Sequence, residues 1–241
     1  MSSERLRLFL FPYAGGSPSV FGEWGPLVPG WLALSPIEVP GGYLDPPDLS
    51  ILDMAESAAA AIARSPDEPF ALLGHSMGAL VAFETARILQ RDGRRSARHL
   101  FVCAHGAPHL ESSGAVRHDL PAAEFDAELR RLSGTPREVL ENDEMMKIVR
   151  PRLRRDFKAC ATYRFAPGAP LQIPVDALGG MGDAEAPEET LAAWRRHTSA
   201  EFRLQMFAGG HFFINEQMSL VVRYVARRIT DRRRDDHNFY G

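Results

Sequence analysis

A chain of 241 residues, 45% hydrophobic and 24% charged, has the mix of a soluble globular protein and the length of one α/β domain able to bury a core without staples. Its net charge of −3 supplies no broad basic field, which argues against nucleic acid as a partner. No apolar stretch approaches the roughly 18 residues that span a bilayer, and Met1–Arg7 lacks a signal-peptide pattern, so the expected setting is the cytoplasm, with no membrane partner.

Taken in order, apolar runs of strand length alternate with segments of helical period. Leu6–Phe11 reads as a strand, followed by the glycine-containing loop Pro12–Ser17. Leu32–Val39 is a second strand, ended by Pro40-Gly41-Gly42. Ser50–Arg64 carries Ile51, Leu52, Ala55, Ala58, Ala59 and Ile62 on one helical face. Pro69–Gly74 is a short buried strand running straight into Gly74-His75-Ser76-Met77-Gly78, after which Met77–Arg91 reads as a helix stopped by Gly93. Strands follow at His99–Ala104, Ile173–Gly179 and Phe202–Phe207, with a helix over Pro187–His197 and a last amphipathic helix over Asn215–Arg228. This alternation predicts an α/β core, residues 1–109 and 164–230: a mostly parallel sheet with helices on both faces.

Residues 110–163 break the pattern. They hold short helical stretches (Pro121–Leu132, Pro136–Glu141, Asp143–Tyr163) and no convincing strand, which predicts a helical lid over the carboxyl edge of the sheet. Residues 231–241, with Arg232-Arg233-Arg234-Asp235-Asp236, read as a solvated tail. Cys103 and Cys160 have neither CxxC nor Cys/His spacing and are expected to be small buried hydrophobes. A monomer is the expected state.

Gly-x-Ser-x-Gly is a weak signal alone. Here it follows an apolar strand and opens a helix, the context that a nucleophile elbow requires. A serine hydroxyl needs a base, and the base an orienting acid; in the α/β-hydrolase fold that this elbow predicts, the chain order is serine, acid, histidine. His211 follows the strand Phe202–Phe207 across Ala208-Gly209-Gly210 and is the candidate base. His197 and His237 lie within or beyond helices; His99, His105, His109 and His118 precede the acid's strand; His75 adjoins the nucleophile and should leave the elbow in another direction. The acid should follow the penultimate strand, as Asp183 does, with Asp176 and Glu185 as rivals. An oxyanion hole needs two backbone N–H groups. Met77 supplies one at a helix N-terminus, and Ala14 in the loop after the first strand the other, with Tyr13 or Gly15 as alternatives.

Together these residues resemble a type II thioesterase, the stand-alone editing enzyme of polyketide and non-ribosomal peptide assembly lines. The likeness spans about Leu8 to Phe213. It rests on Phe11-Pro12-Tyr13-Ala14-Gly15-Gly16-Ser17, Gly74-His75-Ser76-Met77-Gly78-Ala79-Leu80, Leu132-Ser133-Gly134-Thr135-Pro136 and Asp156-Phe157 with Tyr163. Gly179-Gly180 before Asp183, Ala193-Trp194 with His197-Thr198, and Gly209-Gly210-His211-Phe212-Phe213 complete it. The resemblance implies hydrolysis of acyl groups from the phosphopantetheine arm of an acyl or peptidyl carrier protein through an acyl-enzyme on Ser76. It implies no metal and no dissociable cofactor, since the arm is part of the substrate. One departure stands out: where the family has Pro-Gly-Arg and an acidic-Pro-Pro, this chain has the shortened Pro40-Gly41-Gly42-Tyr43-Leu44-Asp45-Pro46-Pro47, without the arginine. Acyl transfer or cyclisation on the same three residues, or a carrier-binding accessory protein whose triad is idle, are the competing readings.

Overall fold

A computed structural model describes residues 5–38, 49–93, 95–110, 117–132 and 134–238; the departing segment Pro40–Pro47 lies outside them. Six strands, β1 (Leu6–Phe11), β2 (Leu32–Pro36), β3 (Phe70–His75), β4 (Leu100–Cys103), β5 (Val175–Gly180) and β6 (Phe202–Phe207), form one sheet in the order β2-β1-β3-β4-β5-β6. Every neighbouring pair is parallel. The expected parallel sheet is therefore observed, and its strand order places the switch of direction between β1 and β3. Ligands of open α/β sheets bind at that point, beyond the carboxyl ends of the strands.

Alternation along the strands loads both faces. Phe9, Phe11 and Leu72 pack with helix α1 (Ile51–Arg64) and helix α2 (Met77–Asp92) on one side. Leu8, Leu10, Leu73 and Phe101 pack on the other against Phe21 and Trp24, which lie on a 3₁₀ turn at Pro18–Leu27. Ser50 caps α1, its hydroxyl accepting from the Asp53 N–H while the Asp53 carboxylate accepts from the Ser50 N–H. Gly93, left-handed at φ 65°, ends α2.

Between β4 and β5 run helices α3 (Ala122–Leu132), α4 (Arg137–Leu140) and α5 (Asp143–Thr162). They bury a small apolar cluster of their own, Phe125, Leu129, Leu140, Met146 and Leu153, apart from the two faces of the sheet. The chain leaves the sheet for these helices and returns to it along the same flank of α2. On the way out, the rings of His109 and His197 are hydrogen-bonded at 2.7 Å. On the way back, the Tyr163 hydroxyl donates to Glu84 at 2.6 Å and Arg87 donates to the Ala166 carbonyl at 2.8 Å.

The remaining helices are α6 (Glu188–Ala192), which passes into a 3₁₀ turn at Ala193–His197, then α7 (Phe213–Glu216) and α8 (Met218–Asn238). Val221, Val222, Val225 and Ile229 of α8 join the face holding Leu8 and Phe101. The backbone stays helical through Asn238, so the stretch read as a tail continues the last helix for most of its length. None of the described helices is long and apolar enough to cross a membrane.

His197 is 6% exposed. Burial, followed by His109, Arg196 and Arg87, lowers its pKa from 6.5 to about 4. Between those two values the unfolded chain holds a proton that the folded chain does not, so stability rises with pH across that window and the contribution is gone below it. His197→Phe is expected to flatten the loss of stability between pH 6.5 and 4 by at most about 3 kcal/mol. Thermal melts of both proteins across the window check this; parallel pH profiles would refute it.

Candidate active site

At the carboxyl end of β3 the chain turns so sharply that Ser76 sits at φ 55°, ψ −119°, a region that non-glycine residues occupy only under constraint. Its N–H donates to the Cys103 carbonyl of β4 at 2.8 Å. Two glycines make the turn sterically possible. A Cβ on Gly74 would lie 2.0 Å from the Gly78 carbonyl oxygen, and one on Gly78 would lie 2.2 Å from that of Phe11. β1, β3 and the start of α2 thus meet backbone to backbone, and the serine side chain is lifted above the sheet with the helix N-terminus beside it.

The structure brings Ser76, His211 and Asp183 together. His211 Nε2 lies 3.0 Å from Ser76 Oγ, and His211 Nδ1 lies 2.9 Å from Asp183 Oδ2. The loops that carry acid and base are laced to each other: Met181 N–H donates to the Phe207 carbonyl at 2.8 Å and Gly182 N–H to that of Gly209 at 2.9 Å. Gly180 has no side chain because a Cβ would meet the Gly210 carbonyl oxygen at 2.2 Å. Asp183 is 5% exposed. Burial alone would raise its pKa, but the hydrogen bond from His211, that ring's charge and the N–H groups of Glu185 and Ala186 outweigh it and hold the carboxyl below its usual range. With Asp183 ionised, Nδ1–H is the donor and Nε2 is free to accept the Ser76 proton.

Neither rival acid reaches His211. Strand alternation turns Asp176 to the α8 face, where it bonds His99, Tyr224 and Arg228. Glu185 is held by Arg117 at 2.6 Å and Arg131 at 2.7 Å. Among the candidate oxyanion donors, the Gly15 N–H is committed to Asp156 of α5 at 2.8 Å, so it is not available to a bound carbonyl.

Two residues beside the site make contacts that their places in the sequence did not disclose. His75, fully buried, places Nε2 2.8 Å from the His211 carbonyl. Burial first, then the His211 ring, lowers its pKa to about 3, so it is neutral and donates through Nε2–H to hold the His211 backbone. Phe212 stands edge-on to Tyr13 with centroids 4.9 Å apart, and Gly134 packs against it so closely that a Cβ would lie 2.3 Å from Phe212 Cζ. The apolar residue after a loop histidine is the only signal sequence offered for that contact. Both cysteines are free thiols; burial raises both, Cys160 to about 12, in keeping with packing roles.

A hydroxyl, an imidazole and a carboxylate in relay, set above the carboxyl edge of a parallel sheet at its switch point, place this chain among the α/β-hydrolases. Residues 6–231 match the family model of the thioesterase domain, and the chain belongs to that family. The gramicidin S biosynthesis protein GrsT of Aneurinibacillus migulanus is 38% identical over 231 residues, covering 95% of this chain and 90% of its own. Thioesterase PikA5 of Streptomyces venezuelae is 44% identical over 226 residues, 89% of this chain and 78% of its own. Of solved structures, YbtT, a type II thioesterase from the yersiniabactin non-ribosomal peptide and polyketide pathway, superposes with a TM-score of 0.83 at 34% identity, over 94% of each chain.

Proposed function

We propose that this protein is a type II thioesterase that hydrolyses aberrant or stalled acyl groups from the phosphopantetheine arm of carrier proteins. The observation that carries this reading is the 3.0 Å and 2.9 Å relay from Ser76 through His211 to Asp183 on a strained elbow. Kinship with YbtT and PikA5 supplies the substrate class. Ser76 Oγ attacks the thioester carbonyl as His211 Nε2 takes its proton. The tetrahedral oxyanion is met by the Met77 and Ala14 N–H groups, and collapse expels the thiolate, which takes the proton from His211. Water enters, gives a proton to His211 and attacks the acyl-Ser76 ester; the acid leaves and the proton returns to Ser76.

The chemistry needs only side chains and backbone of this chain, with no dissociable cofactor. The helices between β4 and β5 serve as a lid that shapes the acyl chamber, and the carrier docks at its rim. The protein works as a monomer in the cytoplasm.

Purified protein incubated with one acyl group on a carrier protein and on coenzyme A tests this reading. Free acid and free carrier thiol are expected, with higher kcat/KM on the carrier. A lactone or amide product without free acid would mark an acyl-transfer or cyclising enzyme, and equal kcat/KM on both donors would overturn the carrier assignment.

A further inference from the structure

The turn Pro12–Ser17 leaves β1 beside the elbow and is gripped by α5. Asp156 Oδ2 accepts from the Gly15 N–H at 2.8 Å, and Arg152 Nη2 donates to the Gly16 carbonyl at 2.7 Å. Leu153, between them on the helix, covers Gly15, where a Cβ would lie 2.3 Å from Leu153 Cδ2. Gly15 itself holds a φ of 77°. One N–H, one carbonyl and one left-handed residue of this turn are therefore fixed by a helix some 140 residues away in sequence.

Asp156 is 3% exposed. Its other oxygen accepts from Arg155 at 3.2 Å, and Arg152 Nε lies 4.0 Å from Oδ2. A carboxylate at such depth is costly, and an apolar residue would tie the helix down more cheaply. What the carboxylate adds is an acceptor for a backbone N–H that the turn cannot satisfy itself.

Resting on the assignment of Ser76 and Ala14 above, we propose that Asp156, with Arg152, is a positioning residue that fixes the peptide planes of the Pro12–Ser17 turn, so that the Ala14 N–H faces the carbonyl attacked by Ser76 only while α5 is seated. Lid docking and assembly of the oxyanion site are then one event. With α5 lifted, Gly15 loses its acceptor, Gly16 its donor and Leu153 its place, and the turn is free to reorient.

The test uses the full chain and a short acyl thioester of N-acetylcysteamine, with rates expressed per Ser76 titrated by a fluorophosphonate. Asp156→Ala is expected to lower kcat about 30- to 100-fold with KM within about threefold, the scale of a misaligned oxyanion donor. Asp156→Asn, whose amide oxygen still accepts from Gly15, is expected to recover at least about tenfold of that loss. Arg152→Met, at a side chain 31% exposed, is expected to cost about three- to tenfold in kcat. Wild-type kcat in Asp156→Ala, a loss confined to KM, or Asn no better than Ala overturns the proposal. Should Asp156→Ala fail to fold, Arg152→Met decides, and a kcat within about twofold of wild type overturns it. Ser76→Ala separates the two readings: if it is active, the proposed function itself fails, whereas if it is dead beside a normal Asp156→Ala, only the positioning role does.

Discussion

Ser76→Ala is expected to lower kcat for thioester hydrolysis by about 10⁵-fold or more while leaving the thermal midpoint within a few degrees of wild type. The side chain contributes almost nothing to the core, whereas its Oγ is the atom to which the acyl group transfers in the proposed mechanism. Triad members act as a unit, so His211→Ala should cost as much, and the double variant little more. Asp183→Asn should cost about 10⁴-fold: Oδ1 already accepts from the Glu185 N–H, so the amide oxygen stays there and the NH2 faces Nδ1, which holds the ring in the wrong tautomer. In each, a residue above the uncatalysed rate should persist, carried by the backbone donors. Thiol release under single-turnover conditions, with mass spectrometry for an acyl adduct on Ser76, measures both the rate and its route. Adduct formation on another residue at a wild-type rate would sink the assignment.

Asp176→Ala is expected to be the most damaging change to stability, about 3–5 kcal/mol. Asp176 is fully buried in mid-strand and is bonded by Arg228 Nε at 2.7 Å and Nη2 at 3.1 Å, Tyr224 at 2.7 Å and His99 at 2.9 Å. Arg228 is only 1% exposed, so removing the carboxylate strands a guanidinium in the core with, among the described residues, Glu201 at 3.1 Å as its remaining acid. Burial raises the Asp176 carboxyl, but the bonds from His99 and Arg228 outweigh it and hold it well below the usual carboxylate range. A depressed carboxyl gives its stability in full above the unfolded carboxylate pKa, near 4, and loses it as pH falls through the folded value. The deficit of the variant should therefore be complete at pH 7 and shrink only in strong acid. In a domain of this size the midpoint should fall by about 8–15 °C. Asp176→Leu with Arg228→Met should recover much of the loss, since an apolar pair needs no partner. Denaturant melts of the four proteins of the cycle check the coupling, and additive effects would show that the two residues are independent.

The sheet was legible because each of its strands is a short apolar run between turn signals: β1 and β6 fall at the expected residues. β2 ends at Pro36, earlier than its apolar run suggested. The 3₁₀ turn at Pro18–Leu27 escaped because Pro18, Gly22, Gly25 and Pro26 erase any helical period, although Phe21 and Trp24 anchor it in the core. The last helix outran its amphipathic stretch for a related reason. Once its packed turns are formed, further turns add one hydrogen bond per residue and need no apolar face. Chain order and loop chemistry sufficed to bring Ser76, Asp183 and His211 to hydrogen-bond distance. They could not separate Asp183 from Asp176 outright; that depended on which face of β5 each side chain takes. Nor could they reach the Asp156–Gly15 or His75–His211 contacts, which join segments about 140 residues apart and leave no periodic trace.

The fastenings beside α2, His109 to His197 on departure and then Tyr163 to Glu84 and Arg87 to Ala166 on return, have a bearing on how such a protein diversifies. They close the core around the gap, so the stretch between them carries its own small interior and meets the core through its ends, its grip on the Gly15 turn, the Arg117 and Arg131 bonds to Glu185 and the packing of Gly134 on Phe212. Lengthening such a span costs little in loop entropy. New chamber shapes can then arise by exchanging this stretch between relatives, with inherited folding left intact, provided each newcomer brings an acid one helical turn beyond an arginine to meet the turn beneath it.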